Sequence, residues 1–145
     1  MASLAQQLPV QGGRPLSHPH HRILVVDDFD ATREAIATML QMKGFEVHTA
    51  SSGREALALL GTGFRPCAML LDLRMPDLDG WTVWDRMRER PDLALTPVVI
   101  LSADPVDVRR ARSVGIREFV RKPIDAGRLA TTLARHCEWL RPVFQ

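Results

Sequence analysis

The chain has 145 residues, 46% of them apolar and 25% charged, with a net charge of +2; this is the composition of one globular domain that buries about two-thirds of its unfolded surface. So small a charge argues against nucleic-acid binding, no apolar run approaches the ~20 residues of a membrane span, and no basic segment with an apolar core and cleavage site opens the chain. A cytoplasmic protein without membrane contact is expected, with Cys67 and Cys137, which lack C-x-x-C spacing, as buried reduced thiols.

Residues 1–21 are rich in Gln, Pro, Gly, Ser and His without hydrophobic periodicity, and are expected to be a flexible tail. His18, His20 and His21 there fix no coordination geometry. Arg22 to Val26 reads as a first strand ending on Asp27 and Asp28. Asp30 is placed to cap a helix over about Ala31 to Lys43, stopped by Gly44. Phe45, Val47 and Thr49 alternate with polar residues, as in a half-exposed edge strand that leaves His48 on the surface. Ser52 and Glu55 have capping-box spacing before a second helix that ends at Gly61-Thr62-Gly63.

Ala68 to Leu71 is an uninterrupted apolar run, as in the central strand of a parallel sheet covered on both faces. It delivers Asp72 to the rim of the sheet, followed by a turn holding Pro76, Asp77, Asp79 and Gly80. A third helix is expected over Trp81 to about Glu89, with Trp84 packing rather than binding. Val98 to Leu101 forms a fourth strand ending on Ser102, and Pro105 opens a fourth helix whose outer face carries Arg109, Arg110 and Arg112. Glu118 to Arg121 forms a short fifth strand ending on Lys122, one of two lysines in the chain. Asp125 to Leu140 has the apolar face of a last helix. The predicted division is a tail over 1–21, one domain over 22–141 and a tail over 142–145.

Strands alternating with helices in this way form a parallel sheet with right-handed crossovers, and the expected fold is α/β, doubly wound and flavodoxin-like, with strand order 2-1-3-4-5. That order brings Asp27, Asp28 and Asp72 together at the switch point, with Ser102 and Lys122 beside them. Carboxylates so clustered repel unless a cation or proton compensates. An oxygen-only set fits Mg²⁺, with Mn²⁺ also accommodated. Asp72 is then a phosphoryl acceptor attacking phosphorus in line, with Lys122 and Ser102 directed at the phosphoryl oxygens.

The motifs ILVVDD, LLDLRMPDLDG, VVILSA and GIREFVRKP, with Arg33 after the first, occur in order over Arg22 to Leu140. The chain thereby resembles the receiver domains of response regulators in two-component signalling. The resemblance implies phosphorylation of Asp72 by a histidine kinase or histidine phosphotransfer protein. It implies Mg²⁺ held by Asp28, Asp72 and the backbone carbonyl of Arg74, with Asp27 helping mainly through water. It also implies a switch pair, Ser102 and Phe119, that changes the face made by the fourth helix, fifth strand and fifth helix, and a cis Lys122-Pro123 bond that orients the ammonium. Phe119 replaces the more frequent Tyr, and Ser102 the more frequent Thr. Arg74 and Asp104, each two residues past a site residue, are expected to pair over the acyl phosphate and lengthen its life.

With no output segment in the sequence, a stand-alone receiver acting through a protein partner or homodimer is expected, catalysing only its own phosphorylation and dephosphorylation. A receiver fragment of a longer regulator or hybrid kinase is the alternative. Arg128, Thr132, Arg135 and Trp139 make a partly basic row suited to an acidic partner. A Mg²⁺-dependent phosphatase with an aspartyl nucleophile is a further reading, weakened because Arg74 stands where that chemistry needs an acid/base carboxylate.

Overall fold

The computed structural model describes residues 21–102, 104–116 and 118–138. Residues 1–20, with His18 and His20, and residues 139–145, with Trp139 and Leu140, lie outside the described residues.

Among the described residues five strands alternate with five helices: β1 Arg22–Val26, α1 Asp30–Met42, β2 Glu46–Ala50, α2 Gly53–Gly61, β3 Ala68–Asp72, α3 Gly80–Arg88, β4 Val98–Ser102, α4 Pro105–Ser113, β5 Glu118–Arg121 and α5 Ala126–Glu138. The sheet has the order β2-β1-β3-β4-β5 with every pairing parallel, as expected. Side-chain alternation along the strands sorts the core into two layers. Leu24, Val26, Met69, Leu71 and Ile100 face α2, α3 and α4 through Ala56, Leu60, Val83, Met87 and Ala111. Ile23, Val25, Leu70, Val99 and Leu101 face α1 and α5 through Ile36, Leu40, Leu129 and Leu133. Every residue of β3 is buried, which explains its unbroken apolar run.

Local chemistry sets most helix starts. The Ser52 hydroxyl accepts from Glu55 N (3.1 Å), while the Glu55 carboxylate accepts from Ser51 N (2.5 Å) rather than from the cap residue itself, a capping box displaced by one residue. Asp79 caps α3 by accepting from Thr82 N (2.9 Å), and Asp104 caps α4 by accepting from Val106 N (2.9 Å), with Pro105 in the first turn. Asp30 does not cap α1. The cap position is Phe29, without a side-chain cap bond, and Asp30 is the first helical residue, paired with Arg33 at 2.6 Å. The turn that does this work is made by Asp27, whose Oδ1 accepts from Phe29 N (2.9 Å).

The cysteines depart from expectation. Cys67, just before β3, and Cys137, near the end of α5, form a disulfide across 70 residues with their Cα atoms 5.9 Å apart. The pairing is tertiary: it arises because α5 returns along the sheet to the N-terminal end of β3, which no local spacing reveals. A loop of that length, once closed, removes unfolded-state freedom equivalent to about 4 kcal/mol. The bond lies at the opposite end of the strands from Asp27, Asp72 and Ser102.

Gly80 fixes how closely α3 approaches the end of β3. A Cβ there would lie 2.5 Å from the Asp72 carbonyl oxygen and 2.8 Å from Leu73 Cα, both backbone atoms that cannot yield cheaply. Gly80→Ala is expected to cost about 1–3 kcal/mol in urea unfolding. Gly61→Ala, where nothing lies within 4 Å, is expected to be neutral or stabilising by up to about 1 kcal/mol.

Candidate functional site

β1, β3, β4 and β5 each end in, or are directly followed by, a polar residue at one edge of the sheet. Asp27, Asp28, Asp72, Ser102 and Lys122 line one cavity of about 420 Å³ together with Phe29, Thr32, Arg74, Asp104 and Asp107. One carboxylate oxygen from each of Asp27, Asp28 and Asp72 lies within 4.8 Å of the others. Asp27 is fully buried, Asp28 is exposed, and Asp72, though at the strand end, is 4% exposed and so less open than a rim position suggests. Lys122 Nζ stands 3.6 Å from Asp27 Oδ2 and 3.8 Å from Asp72 Oδ1, near enough for attraction but beyond hydrogen-bond contact. The Lys122–Pro123 peptide is cis, as the resemblance implied.

Burial pushes the Asp72 carboxyl up from the ordinary carboxylate range to about 6; the Asp27 and Asp28 charges add to the rise, while the Arg74 N–H and the Lys122 ammonium oppose it. Asp27 Oδ2 is buried without a hydrogen-bond partner. An orphaned, buried carboxylate oxygen beside two further carboxylates is a donor set that fits a hard divalent cation.

Arg74 and Asp104 do pair, Arg74 Nη2 donating to Asp104 Oδ2 at 2.7 Å. A second acid, Asp107 in the first turn of α4, went unnoticed in the sequence. It is 5% exposed, and its Oδ2 accepts from both Arg74 Nε (3.1 Å) and Ser102 Oγ (3.1 Å). In sequence it is indistinguishable from an acid placed to favour the positive end of a helix dipole. Phe119 lies on β5 opposite Ile100, half-buried on the core, with the Arg112 guanidinium 5.5 Å from its ring centre. Arg110 stacks on Trp81 at 4.2 Å and Arg135 pairs with Glu118 at 3.0 Å, so part of the expected basic face is already engaged. Arg33, noted in the sequence after Asp28, braces the site's first turn by donating to the Asp27 carbonyl at 2.9 Å. Among the described residues no helix is long and apolar enough to cross a membrane.

The family model of the response regulator receiver domain matches residues 23–134. Regulatory protein AtoC of Escherichia coli (strain K12) is 35% identical over 117 residues, 79% of this chain but 25% of AtoC, so this chain spans about a quarter of that relative. Two-component response regulator ORR5 of Oryza sativa subsp. japonica is 31% identical over 93% of this chain and 100% of its own length. Among solved structures, the receiver domain of a signal transduction histidine kinase from Syntrophus aciditrophicus superposes with a TM-score of 0.76 at 30% identity, covering 85% of this chain and 94% of that one. The chemotaxis protein CheY4 of Vibrio cholerae does so at 0.71 and 31% identity, covering 79% and 96%.

The raised Asp72 pKa has a sign that can be checked without metal. The folded protein holds this proton more tightly than the unfolded chain, so the contribution is complete below the ordinary carboxyl value of 3.8 and is lost as pH rises through about 6. In EDTA, Asp72→Asn is therefore expected to be more stable than wild type at neutral pH by about 1–3 kcal/mol, with the difference shrinking toward pH ~4, as read by urea unfolding. The fold, the converging carboxylates and the matched residues agree: the chain belongs to the response regulator receiver domain family and carries a phosphorylation-dependent signalling domain.

Proposed function

We propose that Asp72 accepts a phosphoryl group from the phosphohistidine of a histidine kinase or histidine phosphotransfer protein, and that residues 22–141 act as a cytoplasmic receiver domain that catalyses only its own phosphorylation and dephosphorylation. The observation that carries this reading is the convergence of three carboxylates within 4.8 Å with Lys122 Nζ 3.6 and 3.8 Å from two of them. An Asp72 oxygen attacks phosphorus in line, the P–N bond to the imidazole breaks, and its electron pair returns to the ring nitrogen. The product is an acyl phosphate on Asp72. Lys122 offsets charge on its oxygens, and the Ser102 hydroxyl is within the same cavity to donate to one of them.

Asp28, Asp72 and the Arg74 backbone carbonyl would hold Mg²⁺, or Mn²⁺, directly, with Asp27 acting mainly through water. When bound, such an ion neutralises phosphoryl oxygens during transfer. Withdrawal of Ser102 toward the phosphoryl group, with movement of Phe119 into the released space, would alter the α4-β5-α5 face and so the binding of a downstream protein or a second copy of the chain. The Arg112 guanidinium over the Phe119 ring makes that ring's position legible on the surface.

Treatment with acetyl phosphate in Mg²⁺ is expected to add one phosphoryl group by intact mass, with no adduct formed when EDTA is present from the start or in Asp72→Asn. A folded wild-type protein that takes no adduct in either Mg²⁺ or Mn²⁺ would sink the proposal.

The Arg74–Asp104 pair lies at the mouth of the site and, with the Arg74 side chain 66% exposed, contributes little to stability. Its proposed role is to shield the acyl phosphate from water. Arg74→Ala and Asp104→Ala are expected to speed loss of the phosphoryl group about threefold, the kinetic counterpart of an exposed pair worth ~0.7 kcal/mol. Unchanged dephosphorylation rates in both variants would remove that role.

A further inference from the structure

The Ser102 hydroxyl occupies an unusual place in the capping of α4. In an ordinary capping box the acidic side chain at the third helical position accepts directly from the backbone N–H of the cap residue. Asp107 is at that third position and Asp104 is the cap. Here the Asp104 N–H donates instead to Ser102 Oγ at 3.0 Å, and Ser102 Oγ in turn donates to Asp107 Oδ2 at 3.1 Å. The hydroxyl at the end of β4 is thus inserted between the two halves of the helix cap.

A hydroxyl has one proton to donate. While Asp107 accepts it, no phosphoryl oxygen on Asp72 can. We infer that Asp107 is the positioning residue that retains the Ser102 hydroxyl in the unphosphorylated state, so that a phosphoryl group must displace a buried carboxylate to engage Ser102 and in doing so opens the cap of α4. This rests on the reading of Asp72 as phosphoryl acceptor. Two observations make the exchange consequential. Asp107 is 5% exposed, so on losing Ser102 it retains only Arg74, at 3.1 and 3.3 Å, among its observed partners. The Arg74 side chain is largely exposed and is shared with Asp104 at 2.7 Å, so it compensates poorly for the lost donor. The Asp104 N–H loses its acceptor in the same step, leaving a donor and an acceptor of one helix cap free to close on each other. That rearranges the first turn of α4, which transmits the event beyond the site.

The test measures the apparent dissociation constant of beryllofluoride, an analogue of the bound phosphoryl group, in Mg²⁺. It compares wild type, Asp107→Ala, Asp107→Asn, Ser102→Ala and the double variant Ser102→Ala/Asp107→Ala. Removing the competitor is expected to tighten binding about tenfold in Asp107→Ala, since hydrogen bonds to charged groups carry roughly this weight. The isosteric Asp107→Asn keeps an acceptor oxygen and is expected to gain less, about threefold, and answers the question if the alanine variant does not fold. In the Ser102→Ala background the gain is expected to vanish. A residue with a purely structural role would weaken binding when removed, so the direction itself discriminates. Equal or weaker binding by folded Asp107 variants, or a gain undiminished without the Ser102 hydroxyl, overturns the inference while leaving the acceptor role of Asp72 intact. Wild-type protein that neither binds beryllofluoride nor is phosphorylated at Asp72 overturns the acceptor reading and this inference with it.

Discussion

Three carboxylates held within 4.8 Å of one another are the constraint that the rest of the structure serves. Left to themselves they would separate or protonate, because like charges at this distance strongly disfavour simultaneous ionisation. They stay because the strands that carry them have no freedom to move. Leu24 and Val26 beside Asp27, and Leu70 and Leu71 beside Asp72, are fully buried between the two helical layers, and each such side chain contributes about 1.5–3 kcal/mol through burial. Lys122 supplies one positive charge, but at 3.6 and 3.8 Å it attracts without forming a close bond. Positive charge therefore remains in demand: Asp27 Oδ2 has no hydrogen-bond partner, and the Asp27 and Asp28 charges add to the rise that burial imposes on the Asp72 pKa, to about 6. Core packing thus holds in place an electrostatic cost that a divalent cation would relieve.

The βα alternation was legible because each strand and helix has its own period, and because Gly44, Gly63 and Gly115 adopt the positive φ that ends a helix or turn. The site residues were legible for a related reason: a polar residue closing an apolar strand of a parallel sheet has few places to go except the crevice. Asp27, Asp28, Asp72, Ser102 and Lys122 all follow this rule and share one cavity. What escaped notice depends on contacts between distant elements. Asp30 has the chemistry of a cap, yet Asp27 takes over the turn by bonding Phe29 N, and the helix begins a residue earlier than the pattern suggested. Cys67 and Cys137 are 70 residues apart, and only the docking of α5 against the start of β3 brings them together. Asp107 carries no signal in the sequence because its burial and its hold on Ser102 come from the packing of α4 against β4.

The network of Arg74, Asp104, Asp107 and Ser102 connects the reactive edge of β3 to α4 through side chains that compete for a small number of donors. Arg74 reaches Asp104 and Asp107 across the loop after β3, while its backbone N–H donates to Asp72 Oδ1 at 3.2 Å. One residue therefore touches both the Asp72 carboxylate and the helix whose cap Ser102 completes. A dianionic group arriving on Asp72 would enter a region already rich in negative charge and short of donors. Under those conditions small displacements are not absorbed locally, because a buried acceptor that loses its donor must find another or move. The Asp104 N–H of its own helix cap is the donor that an ordinary capping box would offer Asp107, so a phosphoryl group that engaged Ser102 would reorganise the first turn of α4. On that reading, no lever longer than the Ser102 side chain would be required to link a phosphoryl group on Asp72 to the surface formed by α4, β5 and α5.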